Sequence, residues 1–325
     1  EASADAPASP ELPEPNDPED SAAEQPGYAQ VRIDFSVRND PPLLKKIAQY
    51  NSGIPPIENY ERDLDHLRSV NAHSFRLDVG MGSRGFIGEN VVSGSIDQPE
   101  YDFEQVDRLA NMLNELDVLP YYSWAYVPKP LQRDGDFRRL NDDAVPDWPE
   151  KWGDMLKTIA KHYVDEGIRI GFHEIYNEPD LQDVFFQEPF SKYLELYRHG
   201  SRAIREADPD AMIGGPALAG ADKRTVVMDF LKMVDEEDLP LDFFSFHHYW
   251  ENSPFWIKVD TIRQVLSWYD RFKTTEIHLN ELSYVANWQG KDSLNNFYGI
   301  APKMFDVFEE DRKSTRLNSS HLGIS

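Results

Sequence analysis

Two glutamates set in strand-like stretches are the residues of this sequence best placed to do chemistry. Glu178 closes the run Gly171-Phe172-His173-Glu174-Ile175-Tyr176-Asn177-Glu178-Pro179-Asp180. Pro179 has no N–H to give a strand ladder, and it disfavours the helical region for the residue before it. Glu178 is therefore expected at a strand tip, biased toward extended backbone. Glu281 ends a second such run, Ile277-His278-Leu279-Asn280-Glu281. Two facing carboxyl groups can cleave a glycosidic bond: one protonates the leaving oxygen, and the other attacks the anomeric carbon or activates water. On this reading Glu178 is the acid/base and Glu281 the nucleophile. The chain has 58 acidic residues, so either glutamate alone could be an ordinary surface group; two on matching strand tips carry the argument.

Neighbouring residues extend the reading. Asn177 could hold a sugar 2-hydroxyl, or simply form a turn, for which Asn-x-Pro also serves. In Phe243-Phe244-Ser245-Phe246-His247-His248-Tyr249, strand alternation puts Ser245, His247 and Tyr249 on one face and Phe244, Phe246 and His248 on the other. With the polar face turned to the site, His247 could bond a sugar hydroxyl and Tyr249 could orient the nucleophile. His248 would then be a structural histidine. Arg76 and Asp78 share a face of an earlier strand. A buried arginine needs a carboxylate; Glu281, Asp78 and Glu174 are all candidates, and a cation beside Glu281 would keep it ionised. Trp124, Tyr126 and Trp250 follow strands and could stack on sugar rings, although core packing explains them equally well. Trp148, Trp152, Trp256 and Trp268 read as core. No metal is expected, because adjacent strand residues such as His247 and His248 point apart. His173-Glu174-x-x-Asn177 also lacks the second histidine of a zinc-protease helix. Two carboxyl groups suffice, so no cofactor is expected either.

These residues need a frame. From residue 73 onward, strand and helix patterns alternate. Strands are expected over 73–79, 118–124, 168–177, 211–215, 241–249 and 276–281. Helices are expected over 103–116, 148–163, 190–207, 225–234, 259–272 and 295–308. An earlier strand, 28–36, and a helix, 59–70 with Asn59 as its cap, precede them. Strands alternating with helices imply parallel βαβ units. Seven such strands point to an α/β fold, a (β/α)8 TIM barrel cut off before its eighth strand. Both glutamates would then lie at the same end of the barrel. Residues 1–27 hold six prolines and eight acids without a Lys or Arg, and read as a disordered acidic linker. Residues 28–312 are the expected barrel domain. Residues 313–325 are polar without alternation and read as a non-native tail.

Composition narrows the class further. The 325 residues carry 33 bases against 58 acids, for a net charge of −25. That argues against a nucleic-acid or anionic-membrane partner, which needs clustered Lys and Arg, and favours a neutral or cationic substrate or a salty habitat. There is no cysteine, hence no disulfide and no thiolate metal site. No apolar run reaches the roughly 20 residues of a membrane span. The acidic linker suggests a secreted, periplasmic or cell-surface location.

His173-Glu174-Ile175-Tyr176-Asn177-Glu178-Pro179 resembles the Phe-Glu-Val-Trp-Asn-Glu-Pro signature of clan A glycoside hydrolases. Within the clan the chain is most similar to family 39, the β-xylosidase and α-L-iduronidase family. Pro120 through Pro128, Trp152, His162-Tyr163, His247-x-Tyr249 and Leu279-Asn280-Glu281 also fit that family. The resemblance implies a retaining, exo-acting, β-xylosidase-like hydrolase of oligo- or polysaccharides, with Glu178 as acid/base and Glu281 as nucleophile. It also implies a β-rich accessory domain after the barrel. Two positions depart from the xylosidase pattern: Asp78 where a His usually follows the Arg, and Tyr176 in place of Trp. The alternatives are an endo-acting glycanase of another clan A family and a non-catalytic carbohydrate-binding barrel.

Overall fold

The structure, a computed structural model, describes residues 49–51, 68, 72–81, 91–249 and 255–283. The expected linker, the strand at 28–36, the helix at 295–308 and the tail lie outside the described residues, as does the helix at 59–70 apart from Arg68. In chain order the described elements are β1 (Gln49–Asn51), β2 (Ser74–Gly80), β3 (Val92–Gly94), β4 (Pro99–Tyr101), α1 (Glu104–Glu115) and β5 (Leu119–Ala125). They continue with β6 (Gln132–Arg133), β7 (Asp136–Leu140), α2 (Trp148–Glu166), β8 (Phe172–Ile175) and α3 (Phe190–Ala207). The last are β9 (Ile213–Leu218), α4 (Arg224–Glu236), β10 (Phe243–Tyr249), α5 (Phe255–Leu266) and β11 (Glu276–Ser283).

Seven strands form one parallel sheet in the order β1-β2-β5-β8-β9-β10-β11, and two short antiparallel hairpins, β3–β4 and β6–β7, stand apart from it. Each strand pairs with the next strand of the sheet in chain order, with no reversal. A doubly wound sheet would reverse direction at a switch point; steady winding is what a barrel wall needs. The sheet curls, and β1 and β11 approach each other. No helix among the described residues is long and apolar enough to cross a membrane.

Alternation divides each strand between two environments. Phe75, Leu77 and Val79 of β2, Tyr122 and Trp124 of β5, and Phe244 and Phe246 of β10 are buried in the large apolar cluster that the strands share with the helices. Helix α2 shows how that cluster is built. Trp152, Leu156, Ile159 and Tyr163 recur at helical spacing and are buried, Pro149 occupies its first turn, and Gly167 ends it in the left-handed conformation (φ 66°). The other faces of the strands point inward. Tyr121, Phe172 and Phe243 form a small aromatic floor, against which His278 stacks on Phe243 at 4.6 Å. Gly214 lets β9 approach β10 here, since a Cβ would stand 2.2 Å from the Phe243 carbonyl oxygen.

One irregularity decides what points inward. β10 and β11 run in register from Phe243 opposite Glu276 to Phe246 opposite Leu279, and then slip so that His247 faces Glu281. Asn280 is the extra residue of this bulge. Plain alternation would put Asn280 and Glu281 on opposite faces. With the bulge both turn inward, Asn280 to Glu174 and Tyr121, and Glu281 to Tyr249.

Candidate active site

The inward side chains form two polar tiers above the aromatic floor. In the lower tier Arg76 is 2% exposed and Glu174 fully buried. Arg76 Nε lies 2.8 Å from Glu174 Oε2, and Nη2 lies 2.7 Å from the same oxygen. Glu174 Oε1 accepts from Asn280 Nδ2 at 2.6 Å and from the Tyr121 hydroxyl at 3.3 Å. Burial opposes ionisation of Glu174, but the Arg76 guanidinium outweighs it and holds the carboxyl below its usual range. Glu174 is thus the main partner of Arg76, with Asp78 next at 3.1 Å and Glu281 at 3.6 Å, both measured to Nη1.

The upper tier holds both strand-tip glutamates. Chain alternation ends at Ile175, and β8 is shorter than its pattern predicts. Tyr176 (φ 72°) and Glu178 (φ 45°) take left-handed backbone, as does Ala217 (φ 52°) at the tip of β9. Glu178 is therefore not extended, which corrects the expectation drawn from Pro179. A tight turn imposes the conformation: the Glu178 N–H donates to Ala217 O at 3.1 Å, and its carbonyl accepts from Leu181 N at 3.0 Å. Such backbone costs about 1–3 kcal/mol per residue and persists only where the surroundings enforce it. Ser123 Oγ donates to Tyr176 O at 2.9 Å. Asp180 accepts from Ala219 N at 3.0 Å and Gly220 N at 2.7 Å, fastening this turn to the tip of β9.

His247 joins the two glutamates. Its Nδ1 lies 2.7 Å from Glu178 Oε1 and 3.4 Å from Glu281 Oε2. Burial disfavours a charge on His247, but the Glu281 and Glu178 carboxylates more than compensate and raise its affinity for a proton. Tyr249 donates its hydroxyl to Glu281 Oε1. Lys258 of α5, itself 2% exposed, reaches Ala219 O at 2.5 Å and His247 O at 2.9 Å, fixing the tips of β9 and β10 together. One oxygen from each glutamate and one His247 nitrogen all lie within 4.8 Å of one another. Two carboxylates and an imidazole could also suit a divalent cation. Here the imidazole is bonded directly to Glu178, and Arg76 faces Glu281, so the positive partners are already supplied by the chain.

The remaining predicted residues divide. Asn177 is 2% exposed and bridges the tiers: its Oδ1 accepts from Arg76 Nη2 at 2.8 Å, and its Nδ2 donates to the Tyr126 hydroxyl at 3.0 Å. The Tyr126 hydroxyl faces the site and also meets Asp78 Oδ2 at 3.4 Å. The ring is fully buried and stacked on Phe185 at 5.4 Å, so the expected sugar-stacking face is already covered. Trp124 is a clearer correction. It shares the outward face of β5 with Tyr122, is fully buried, and donates from Nε1 to His173 Nδ1 at 3.1 Å. It cannot stack on a ligand. Trp268, expected in the core, is 47% exposed beneath the Arg224 guanidinium. Trp250 and the side chain of Trp256 lie outside the described residues. Sequence reasoning undervalued Glu174 and missed Tyr121 and Asn280. A glutamate flanked by His173 and Ile175 in a strand buried along its whole length was the available signal for the first.

Parallel strands wound in one direction, with two carboxyl groups converging at their C-terminal ends, define the architecture of the barrel-type glycoside-cleaving enzymes. The chain belongs to glycosyl hydrolases family 39, which residues 65–283 match. Over 203 residues it is 30% identical to a β-xylosidase of Geobacillus stearothermophilus, an alignment covering 59% of this chain and 40% of that protein. A β-xylosidase of Caldicellulosiruptor saccharolyticus is 28% identical over 155 residues, 46% of this chain and 31% of that one. The chain thus spans less than half the length of the curated relatives it matches. Among solved structures, a glucosidase from Croceicoccus marinus superposes with a TM-score of 0.60 at 20% identity, covering 75% of this chain and 53% of the other.

Proposed function

We propose that this chain is the catalytic part of a retaining glycoside hydrolase, exo-acting and β-xylosidase-like, on a (β/α)8 barrel to which the seven parallel strands belong. The observation that carries the reading is the approach of Glu178 and Glu281, with one oxygen of each inside a group spanning 4.8 Å. Retaining enzymes place their carboxyl groups roughly 5–5.5 Å apart, whereas inverting enzymes need about 6.5–9.5 Å to admit a water.

Glu281 attacks the anomeric carbon as the bond to the leaving oxygen breaks, and Glu178 passes its proton to that oxygen. The sugar is then esterified to Glu281. Glu178, now ionised, takes a proton from a water whose oxygen attacks the same carbon, and the ester bond to Glu281 breaks. Both carboxyl groups return to their starting states. Tyr249 orients the nucleophile, Arg76 favours its ionised form, and Asn177 holds one amide N–H near a sugar hydroxyl. No cofactor enters this scheme. The acidic segment at 1–27 supports export from the cell.

Proton NMR of the sugar released from an aryl β-xyloside tests the mechanism. The first-formed product should be the β-anomer; first-formed α-product would overturn retention. Product sizes from xylo-oligosaccharides then separate single-sugar release from internal cleavage. Tyr249→Phe removes a hydrogen bond to a charged group, worth about 1.5–3 kcal/mol. It should lower kcat by roughly 10- to 100-fold with an unchanged circular dichroism spectrum.

A further inference from the structure

Asp78 has unusual surroundings. It lies on the inward face of β2, one step nearer the strand tip than Arg76, with 15% of its side chain exposed against 2% for Arg76. Its Oδ1 is 3.1 Å from Arg76 Nη1, an ion-pair contact whose angle falls short of a hydrogen bond. The same Nη1 is 3.6 Å from Glu281 Oε2. The rest of the guanidinium is committed to Glu174 and Asn177. One guanidinium therefore faces three carboxyl groups, and two of them share a single nitrogen. The other oxygen of Asp78 meets the Tyr126 hydroxyl, which is bonded to Asn177, the residue before Glu178.

We propose that Asp78 is a positioning residue of the reaction centre: it shares Arg76 with the nucleophile Glu281, so that its charge decides how much of that guanidinium Glu281 commands. This rests on the retaining-hydrolase reading above. The groups facing Asp78 are Arg76 on its own strand, Glu174 on β8, His247 on β10, Glu281 on β11 and Tyr126 beyond β5. Burial raises the Asp78 carboxyl to about 6; Arg76 and His247 oppose the rise, and Glu281 and Glu174 reinforce it. At lower pH Asp78 is neutral and leaves Arg76 Nη1 to Glu281. At higher pH it is ionised and competes with Glu281 for that nitrogen.

Asp78→Asn keeps the shape and makes the neutral form permanent. Its kcat/KM profile should lose the inflection near pH 6 that the Asp78 carboxyl contributes to the wild type as it competes for Arg76. Asp78→Glu, which keeps a carboxyl, should restore the inflection. The same inflection persisting in Asp78→Asn would overturn the proposal. A second measurement does not depend on turnover: carbon NMR of the Asp78 carboxyl in wild type and in Glu281→Gln. Sharing Arg76 predicts that Asp78 titrates at lower pH once Glu281 is neutral, because the like charge is gone and Nη1 is freed. Identical titration in the two proteins would sink the sharing even in an active enzyme. A protein that hydrolyses no glycoside yet shows the shift would overturn the hydrolase reading and leave the shared guanidinium standing.

Discussion

Glu178→Gln should lower the turnover of β-xylosides with poor leaving groups by about 10²- to 10⁴-fold, the usual contribution of a positioned general acid. Substrates with activated leaving groups, such as dinitrophenolate, need no proton and should lose far less in the first step. They should then stall at the second, because on the proposed mechanism Glu178 is also the base that activates water. The sugar ester on Glu281 would accumulate, visible by intact-protein mass spectrometry as one added pentose unit. Glu281→Gln should behave differently: activity lost for every leaving group, and no adduct. The contrast tests the two roles separately. Equal losses across the leaving-group series in Glu178→Gln would remove the acid/base assignment, and an adduct in Glu281→Gln would remove the nucleophile. Because His247 touches both glutamates, the effects of the two substitutions should not simply add in the double variant.

Arg76→Met should be the most destabilising single change at the site, at about 3–5 kcal/mol, because it strands the fully buried Glu174 without its guanidinium. The double variant Arg76→Met with Glu174→Met should recover much of that loss, since removing both members of a buried ion pair costs far less than removing one. Urea denaturation of the wild type and the three variants gives the comparison; a single variant no less stable than the double one would refute it. The pH dependence has a defined sign. Glu174 ionises below its usual range in the folded chain, so the unfolded chain binds its proton first as pH falls. The pair's contribution is complete above the normal glutamate range. It erodes as pH drops from there toward the folded value. Wild type should therefore lose stability in acid, and the double variant should show less of this dependence.

Much of this arrangement was legible from residue order alone. Alternation in β10 separated His247 and Tyr249 from Phe246 and His248, and alternation in β2 separated Arg76 and Asp78 from Leu77. Helix α3 spans the residues that its apolar spacing predicts, 190–207. Four features resisted. Trp124 was read by residue type rather than by parity; parity with Tyr122 places it against the helices. Trp268 lies beyond the last turn of α5, where helical spacing no longer applies. The left-handed turn at Tyr176 and Glu178 depends on bonds to Ala217 and Ser123, residues far away in the chain. Local preference before a proline could not anticipate it. The partner of Arg76 also required distances, because three carboxylates were compatible with the pattern.

The bulge at Asn280 has a meaning for how such a strand can change over time. A strand without one is a single ratchet: inserting or losing a residue anywhere reverses every side chain beyond it. In β11 the count is broken between Leu279 and Glu281, so the strand behaves as two short words joined by a spacer. The first, Ile277 to Leu279, answers to the aromatic floor and to the apolar cluster. The second begins with Glu281 and answers to Tyr249 and Arg76. Substitutions that repack the first word can accumulate without rotating the second, and the Glu281 carboxyl keeps its aim while the core beneath it drifts.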